Sequence, residues 1–192
     1  MDYFLRKLYR FLGLIFPILY IIFTKKVVVV FLSIITVIFI FVDIIRLRKA
    51  SVNKWICQYL RWIWSEKEKN RISGTTYFLI SVLIIILLFP KNIAITACFF
   101  STTGDAFAGL IGKRFGKVKL VNNKTLEGSI SFFIACLIVG YFLNLSRIEP
   151  SLANIVIGSL AGAIIEQISI KIDDNFTIAL VVAIVLFLIK LI

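Results

Sequence analysis

This sequence predicts an all-α, polytopic integral membrane protein of about seven transmembrane helices, with its N-terminus in the cytoplasm. Three observations predict it. The 192 residues are 60% hydrophobic with a mean hydropathy of +1.02, which leaves too little polar surface to coat a water-soluble domain. Apolar runs recur from end to end, at 8–23, 27–45, 75–90, 93–112, 128–145, 152–170 and 176–192, most of them near the ~20 residues that span a bilayer as a helix. The basic residues are one-sided. Seventeen of the 22 Lys and Arg fall in the N-terminus, the 46–74 and 113–127 loops and the turn at 171; Lys25, Lys26, Lys91, Arg147 and Lys190 make up the rest. The rule that basic loops stay inside then places the N-terminus in the cytoplasm and the C-terminus outside. No stretch is polar enough for a separate soluble domain, so 1–192 reads as a single membrane domain.

The first run follows Arg6, Lys7 and Arg10, as a signal peptide would. It lacks a small-residue cleavage site and reads as an anchor. The first and third runs are short, and are expected to tilt little or to rely on snorkelling Arg and Lys ends. Asp43 and Arg46 close the second run as an i,i+3 ion pair. The 46–74 connection holds all three tryptophans, Trp55, Trp62 and Trp64. Trp55, Ile56, Tyr59, Leu60 and Ile63 follow helical spacing, with Lys54, Gln58, Arg61 and Ser65 opposite. That pattern predicts a helix lying in the cytoplasmic interface, either as an anchor or as a gate for lipid entry.

The composition excludes several chemistries. A net charge of +12 would suggest nucleic acid as partner in a soluble protein. Here topology accounts for it, and anionic lipid and nucleotide phosphate are the partners it leaves. With no histidine, His-based acid–base catalysis, Ser-His-Asp triads and His-ligated zinc are ruled out, so any general base is a carboxylate. Cys57, Cys98 and Cys136 have no metal or disulfide spacing and read as lone thiols. Nine of the ten acids fall at or near the basic face, Glu149 being the exception. The positive-inside rule asks nothing of acids, so their clustering points to a site there.

The segment 104–129 carries most of that chemistry. Gly104, Ala108, Gly112 and Gly116 recur every four residues and predict close helix approach. Packing does not explain Asp105, because an intramembrane carboxylate is costly and is usually paired or functional. Seven residues before the loop, it is expected roughly 10 Å deep, at head-group level. Lys113, Arg114, Lys117, Lys119 and Lys124 can grip a polyphosphate, although a plain cytoplasmic loop is also basic. Thr125 is placed to cap the fifth span, whose N-terminus favours phosphate. No Walker A or G-x-G-x-x-G motif occurs. In the sixth span Gly158, Gly162 and Glu166 share one face. The chain then turns through Lys171, Asp173, Asp174 and Asn175, where one residue suffices as an N-cap. The rest of that acid fits Mg²⁺ with a nucleoside triphosphate. Segments 104–129 and 166–175 are therefore expected to form the two halves of one nucleotide and metal site.

GDAFAGLIGKRFGK, then KTLEGS, then IEQISIKIDDN resemble the CTP-dependent lipid kinase family, which includes dolichol kinase, phytol kinase and yeast-type diacylglycerol kinase. RKLYRFLGLIFPILY, VDIIRLR and EKEKNRISGTTYF agree, so the resemblance covers most of the chain. Arg10 stands where family members often carry histidine. The resemblance implies transfer of the γ-phosphate of CTP to the hydroxyl of a membrane lipid alcohol such as a polyprenol, dolichol, phytol or diacylglycerol, with Mg²⁺ or another divalent cation. It implies Asp105 and Lys124 as catalytic residues, Asp105 serving as base or metal ligand. Lys113, Arg114, Lys117, Lys124 and Thr125 would hold the nucleotide, and Glu127, Glu166, Asp173 and Asp174 supply further metal contacts. The first rival is a phosphatidate cytidylyltransferase making CDP-diacylglycerol from CTP; a chain without histidine lacks that enzyme's Gly-His-Gly-Gly-type signature. The second is a non-enzymatic transporter or scaffold, for which charge would line a path through the bilayer instead of gathering at one face.

Overall fold

The computed structural model describes residues 9, 11–60, 63–64, 68–120, 124–149, 151–168 and 173–191. Expectations placed on Asp2, Arg6, Lys7, Arg10, Arg61, Trp62, Ser65, Glu66 and Lys171 lie outside the described residues. A single 3₁₀ turn, Leu12–Leu14, leads into α1 (Ile15–Ile22). Then follow α2 (Lys25–Arg48), α3 (Ala50–Tyr59), α4 (Gly74–Leu88), α5 (Lys91–Phe115), α6 (Leu126–Leu145), α7 (Leu152–Gln167) and α8 (Asp174–Leu191). Among the described residues there is no strand, only an isolated bridge between Lys119 and Thr125. The all-α expectation therefore holds. Three helices, α2, α5 and α6, are long and apolar enough to cross a membrane. Leu12–Ile22, Gly74–Leu88, Leu152–Gln167 and Phe176–Leu191 are shorter apolar helices.

Polar residues set the helix starts. The hydroxyls of Ser73, Thr125 and Ser151 each accept the backbone N–H three residues on, at 3.2, 3.2 and 3.3 Å, satisfying a donor the helix itself leaves unpaired. Arg46 and Arg48 in the last turn of α2, and Lys113 and Arg114 in that of α5, suit the negative end of the helix dipole.

The helices alternate up and down around α5, which packs against α1, α4, α6, α7 and α8 and is buried along most of its length. Small residues make that possible. A Cβ on Gly104 would lie 2.4 Å from the Phe132 ring, and one on Gly162 would lie 2.6 Å from it. Phe132, fully buried, thus fills the space that two glycines on two other helices leave empty. Further along, a Cβ on Gly112 would meet the Thr125 hydroxyl at 2.7 Å, and one on Gly128 the Ala108 carbonyl at 3.0 Å. Both small-residue stripes read from the sequence are helix contacts, as expected.

At one end the ends of the first helices are tied together. Lys25 donates to the Leu87 carbonyl at 2.8 Å and Lys91 to the Ile21 carbonyl at 3.2 Å. The opposite end collects the acids: of those among the described residues, only Glu149 lies away from it, buried between α6 and α7 and bonded to Asn154 at 3.1 Å.

The 46–74 connection contains one helix among its described residues. The buried face of this helix, α3, is Asn53, Ile56 and Cys57, while Trp55 and Tyr59 pair with each other on the exposed side. Trp64 faces inward. It is buried, stacked on Phe39 with centroids 5.7 Å apart, and donates its indole N–H to Asp43 at 3.0 Å. The reason is Asp43, a buried carboxylate that needs donors.

Candidate active site

Two features occupy the acid-rich end. The first is a three-way tie on Lys124. The connection from α5 to α6 folds back on itself, with Leu120 N–H donating to the Lys124 carbonyl at 2.7 Å and Leu126 N–H to the Val118 carbonyl at 3.0 Å. This brings Lys124 to the ends of α7 and α8. Its ammonium contacts Asp174 Oδ2 at 2.8 Å and Glu166 Oε1 at 3.2 Å, and it donates to the Glu166 carbonyl. Glu166 Oε2 accepts from Ser129 at 3.1 Å and from Gln167 at 3.0 Å. Burial works to pull the Lys124 pKa down. The Asp174 hydrogen bond and the charges of Glu166 and Asp174 outweigh it, so the pKa lies above the ordinary lysine value. A raised lysine pKa stabilises the fold below the unfolded value of about 10.4, and that stability is lost as pH rises through the folded value. In detergent the melting temperature is expected to fall in this alkaline window, and Lys124→Met to remove that step from the melting-temperature profile against pH.

The second feature is a cavity of about 260 Å³ between α1, α2, α4, α5 and the loop before α4. Most of its wall is apolar, including Phe16, Phe31, Ile35, Phe39, Phe78 and Leu79. Its polar lining residues are Tyr9, Glu68, Thr75, Ser101, Thr102 and Asp105. Leu12, Ile15 and Phe31 both line the cavity and are exposed on the outer surface, so its mouth lies on the apolar exterior between α1 and α2.

A buried network holds the loop that forms one wall. Asp43 Oδ1 accepts from Arg46 Nε at 2.6 Å as well as from Trp64, and Oδ2 accepts from Ser73 N–H, Ser73 Oγ and Thr76 Oγ1 at 2.9, 3.0 and 2.7 Å. Arg46 donates onward to the backbone carbonyls of Glu68 at 2.9 Å and Arg71 at 2.5 Å. Glu68 Oε1 in turn accepts from Gly74 N–H at 2.8 Å. The predicted Asp43–Arg46 pair exists, and it also fixes the 68–74 loop and the start of α4.

The structure brings together Lys124, Glu166 and Asp174. It does not gather all the predicted metal ligands. Among the described residues no three carboxylates are grouped as a metal site. Glu127, in the first turn of α6, turns to Val118, accepting its N–H at 3.2 Å. Asp173 is half-buried, and its carbonyl accepts from Phe176 and Thr177 at the start of α8. Thr125 spends its hydroxyl on the cap of α6. Lys113, Arg114, Lys117 and Lys119 are exposed, with the Arg114 guanidinium 5.2 Å from the Phe115 ring centroid. Because α5 continues to Phe115, Asp105 lies about 15 Å inside the helix end, deeper than the loop boundary suggested.

Tyr9, Glu68, Thr75 and Thr102 were not foreseen as site residues. A signal existed for each of them. Glu68 and Thr75 belong to the EKEKNRISGTTYF segment, Tyr9 to RKLYRFLGLIFPILY, and Thr102 to a polar Ser-Thr-Thr triplet inside an apolar span.

Comparison with known proteins finds kinases of lipid alcohols among the relatives. The chain is 29% identical to CTP-dependent diacylglycerol kinase 1 of Schizosaccharomyces pombe over 161 residues, 77% of this chain and 74% of that one. It is 34% identical to a chloroplastic probable phytol kinase of Triticum aestivum over 137 residues, 64% of this chain and 46% of that one. It is 32% identical to a chloroplastic farnesol kinase of Arabidopsis thaliana over 135 residues, 63% of this chain and 44% of that one. The chain thus spans under half the length of these plant relatives. No family model matches it, and no solved structure matches it.

Proposed function

We propose that this chain, a homologue of members of the CTP-dependent lipid kinase family, transfers the γ-phosphate of CTP to the hydroxyl of a membrane lipid alcohol. The observation that carries this reading is the largely apolar cavity, with exposed apolar residues Leu12, Ile15 and Phe31 in its wall and Asp105 among its lining residues. An alcohol on an apolar tail fits such a cavity with its hydroxyl at the carboxylate. The predicted phosphate-binding residues Lys113, Arg114, Lys117 and Lys124 lie just beyond, at the end of α5 and in the loop that follows.

In the proposed reaction Asp105 takes the proton of the alcohol as the oxygen attacks the γ-phosphorus. A new O–P bond forms, the bond from the γ-phosphorus to the β–γ bridging oxygen breaks, and CDP leaves. The basic groups balance the charge on the phosphates. Their one-sided distribution supports a cytoplasmic site in a seven-span chain, where CTP is available.

Magnesium requires no ready-made protein cage, because it is held by one or two carboxylates together with substrate phosphates. That fits the donors present. Glu166 with Asp174 would hold the ion, which leaves the Asp105 carboxylate its role as base. When bound, the ion neutralises charge on the transferring phosphoryl group.

The test is CTP labelled at either end, offered with farnesol, phytol or a short-chain diacylglycerol in detergent. Label from the γ-phosphate is expected in the lipid, and a chelator is expected to stop the transfer. Lipid labelled from the α-phosphate instead would establish cytidylyl transfer. Turnover that persists in excess chelator would exclude the metal.

A further inference from the structure

We infer that the Thr102 hydroxyl receives the hydroxyl of the lipid acceptor and positions it for Asp105, an assignment that rests on the kinase reading. Thr102 follows Ser101 and precedes Thr103 in the middle of α5. Both neighbours bond their hydroxyls back to the helix, Ser101 to the Cys98 carbonyl at 3.1 Å and Thr103 to the Phe99 carbonyl at 2.6 Å. That is the usual way for a helix to satisfy a buried hydroxyl. Thr102 does not do so. It is 6% exposed, and its Oγ1 has no hydrogen-bond partner among the described residues.

A buried hydroxyl without a partner carries a desolvation cost, and a fold that keeps one calls for an explanation. Thr96 and Ser159 are in the same position, but among these three only Thr102 lines the cavity. It does so three residues from Asp105, hence on the same face of α5. Space beside it is kept open by Gly13, also a lining residue. A Cβ there would stand 3.4 Å from the Thr102 methyl group and 2.8 Å from the Phe78 ring. An alcohol oxygen arriving along the apolar wall therefore meets two groups in succession on one helix: a hydroxyl that lacks a partner, and a carboxylate that can take its proton.

The test uses the full chain in detergent, with Thr102→Val, which keeps the shape and removes the hydroxyl, and Thr102→Ser, which restores it. Kinase assays take farnesol and dioctanoylglycerol as probes. In Thr102→Val the KM for the accepted alcohol is expected to rise roughly ten-fold, with the KM for CTP unchanged, and Thr102→Ser to recover most of the loss. The melting temperature of ligand-free Thr102→Val is expected to equal or exceed that of the natural chain, since no bond is removed. Either alcohol should raise the melting temperature of the natural chain more than that of Thr102→Val. An unchanged alcohol KM in Thr102→Val overturns the assignment, as does a drop in ligand-free melting temperature with the KM unmoved. If the natural chain shows no turnover, the kinase reading falls and the melting shifts alone decide. A shift lost in Thr102→Val then upholds the hydroxyl-binding role, and equal shifts, or none with either alcohol, overturn it.

Discussion

Asp105→Asn is expected to lower lipid phosphorylation by about 10²–10⁴-fold, the range that a positioned general base contributes, while the protein still inserts and folds. Asparagine keeps the size and hydrogen-bonding shape of the side chain, so the buried surroundings of Asp105 on α5 need not repack. What it loses is the ability to take a proton or carry charge. With no histidine in the chain, no imidazole can substitute for it. The check is initial rates with γ-labelled CTP, together with the melting temperature in the same detergent. A variant that folds normally and retains full activity would remove Asp105 from the reaction and the cavity with it.

The largest effect on stability is expected from Arg46→Ala. Arg46 is completely buried, ion-paired to Asp43, and donates to two loop carbonyls. Removing one partner of a buried pair typically costs about 3–5 kcal/mol, because the remaining charge stays in place without its counter-ion. Asp43 still keeps Trp64, Ser73 and Thr76, so the lower end, about 3 kcal/mol, is expected here. For a chain of this size that corresponds to a melting temperature lowered by roughly 6–12 °C. Activity should fall with it, since the released 68–74 loop carries Glu68 and Gly74 into the cavity wall. Arg46→Lys should recover only part of the loss, because an ammonium cannot reproduce a planar fork aimed at a carboxylate and two carbonyls. A melting temperature unchanged in Arg46→Ala would show that the loop is held by other means.

Much of the architecture was legible because the bilayer enforces simple patterns. Apolar length marked the helices, and glycine at i+4 spacing marked their contacts. Both depend on residues close in sequence, which a linear reading captures. Lys124, Glu166 and Asp174 were assigned to one site by charge, by placement along the chain and by the resemblance, and the fold brings them into contact. The cavity was not legible, because its wall comes from five separate segments whose side chains are ordinary apolar residues. The partner of Trp64 was hidden for a related reason. Tryptophan generally favours the interface, but Asp43, twenty-one residues earlier, offers a buried acceptor that only the folded chain reveals. Glu127 was grouped with the metal ligands by its sign, whereas the reversal of the loop turns it toward the backbone of Val118.

Phe132 links three helices far apart in sequence. Its ring occupies the room left by Gly104, one residue before Asp105, and by Gly162, one turn before Glu166. A side chain added at either glycine needs a smaller residue at position 132, and a smaller residue there leaves a void against both helices. The three positions are therefore expected to be energetically coupled, so that substitutions at two of them are strongly non-additive.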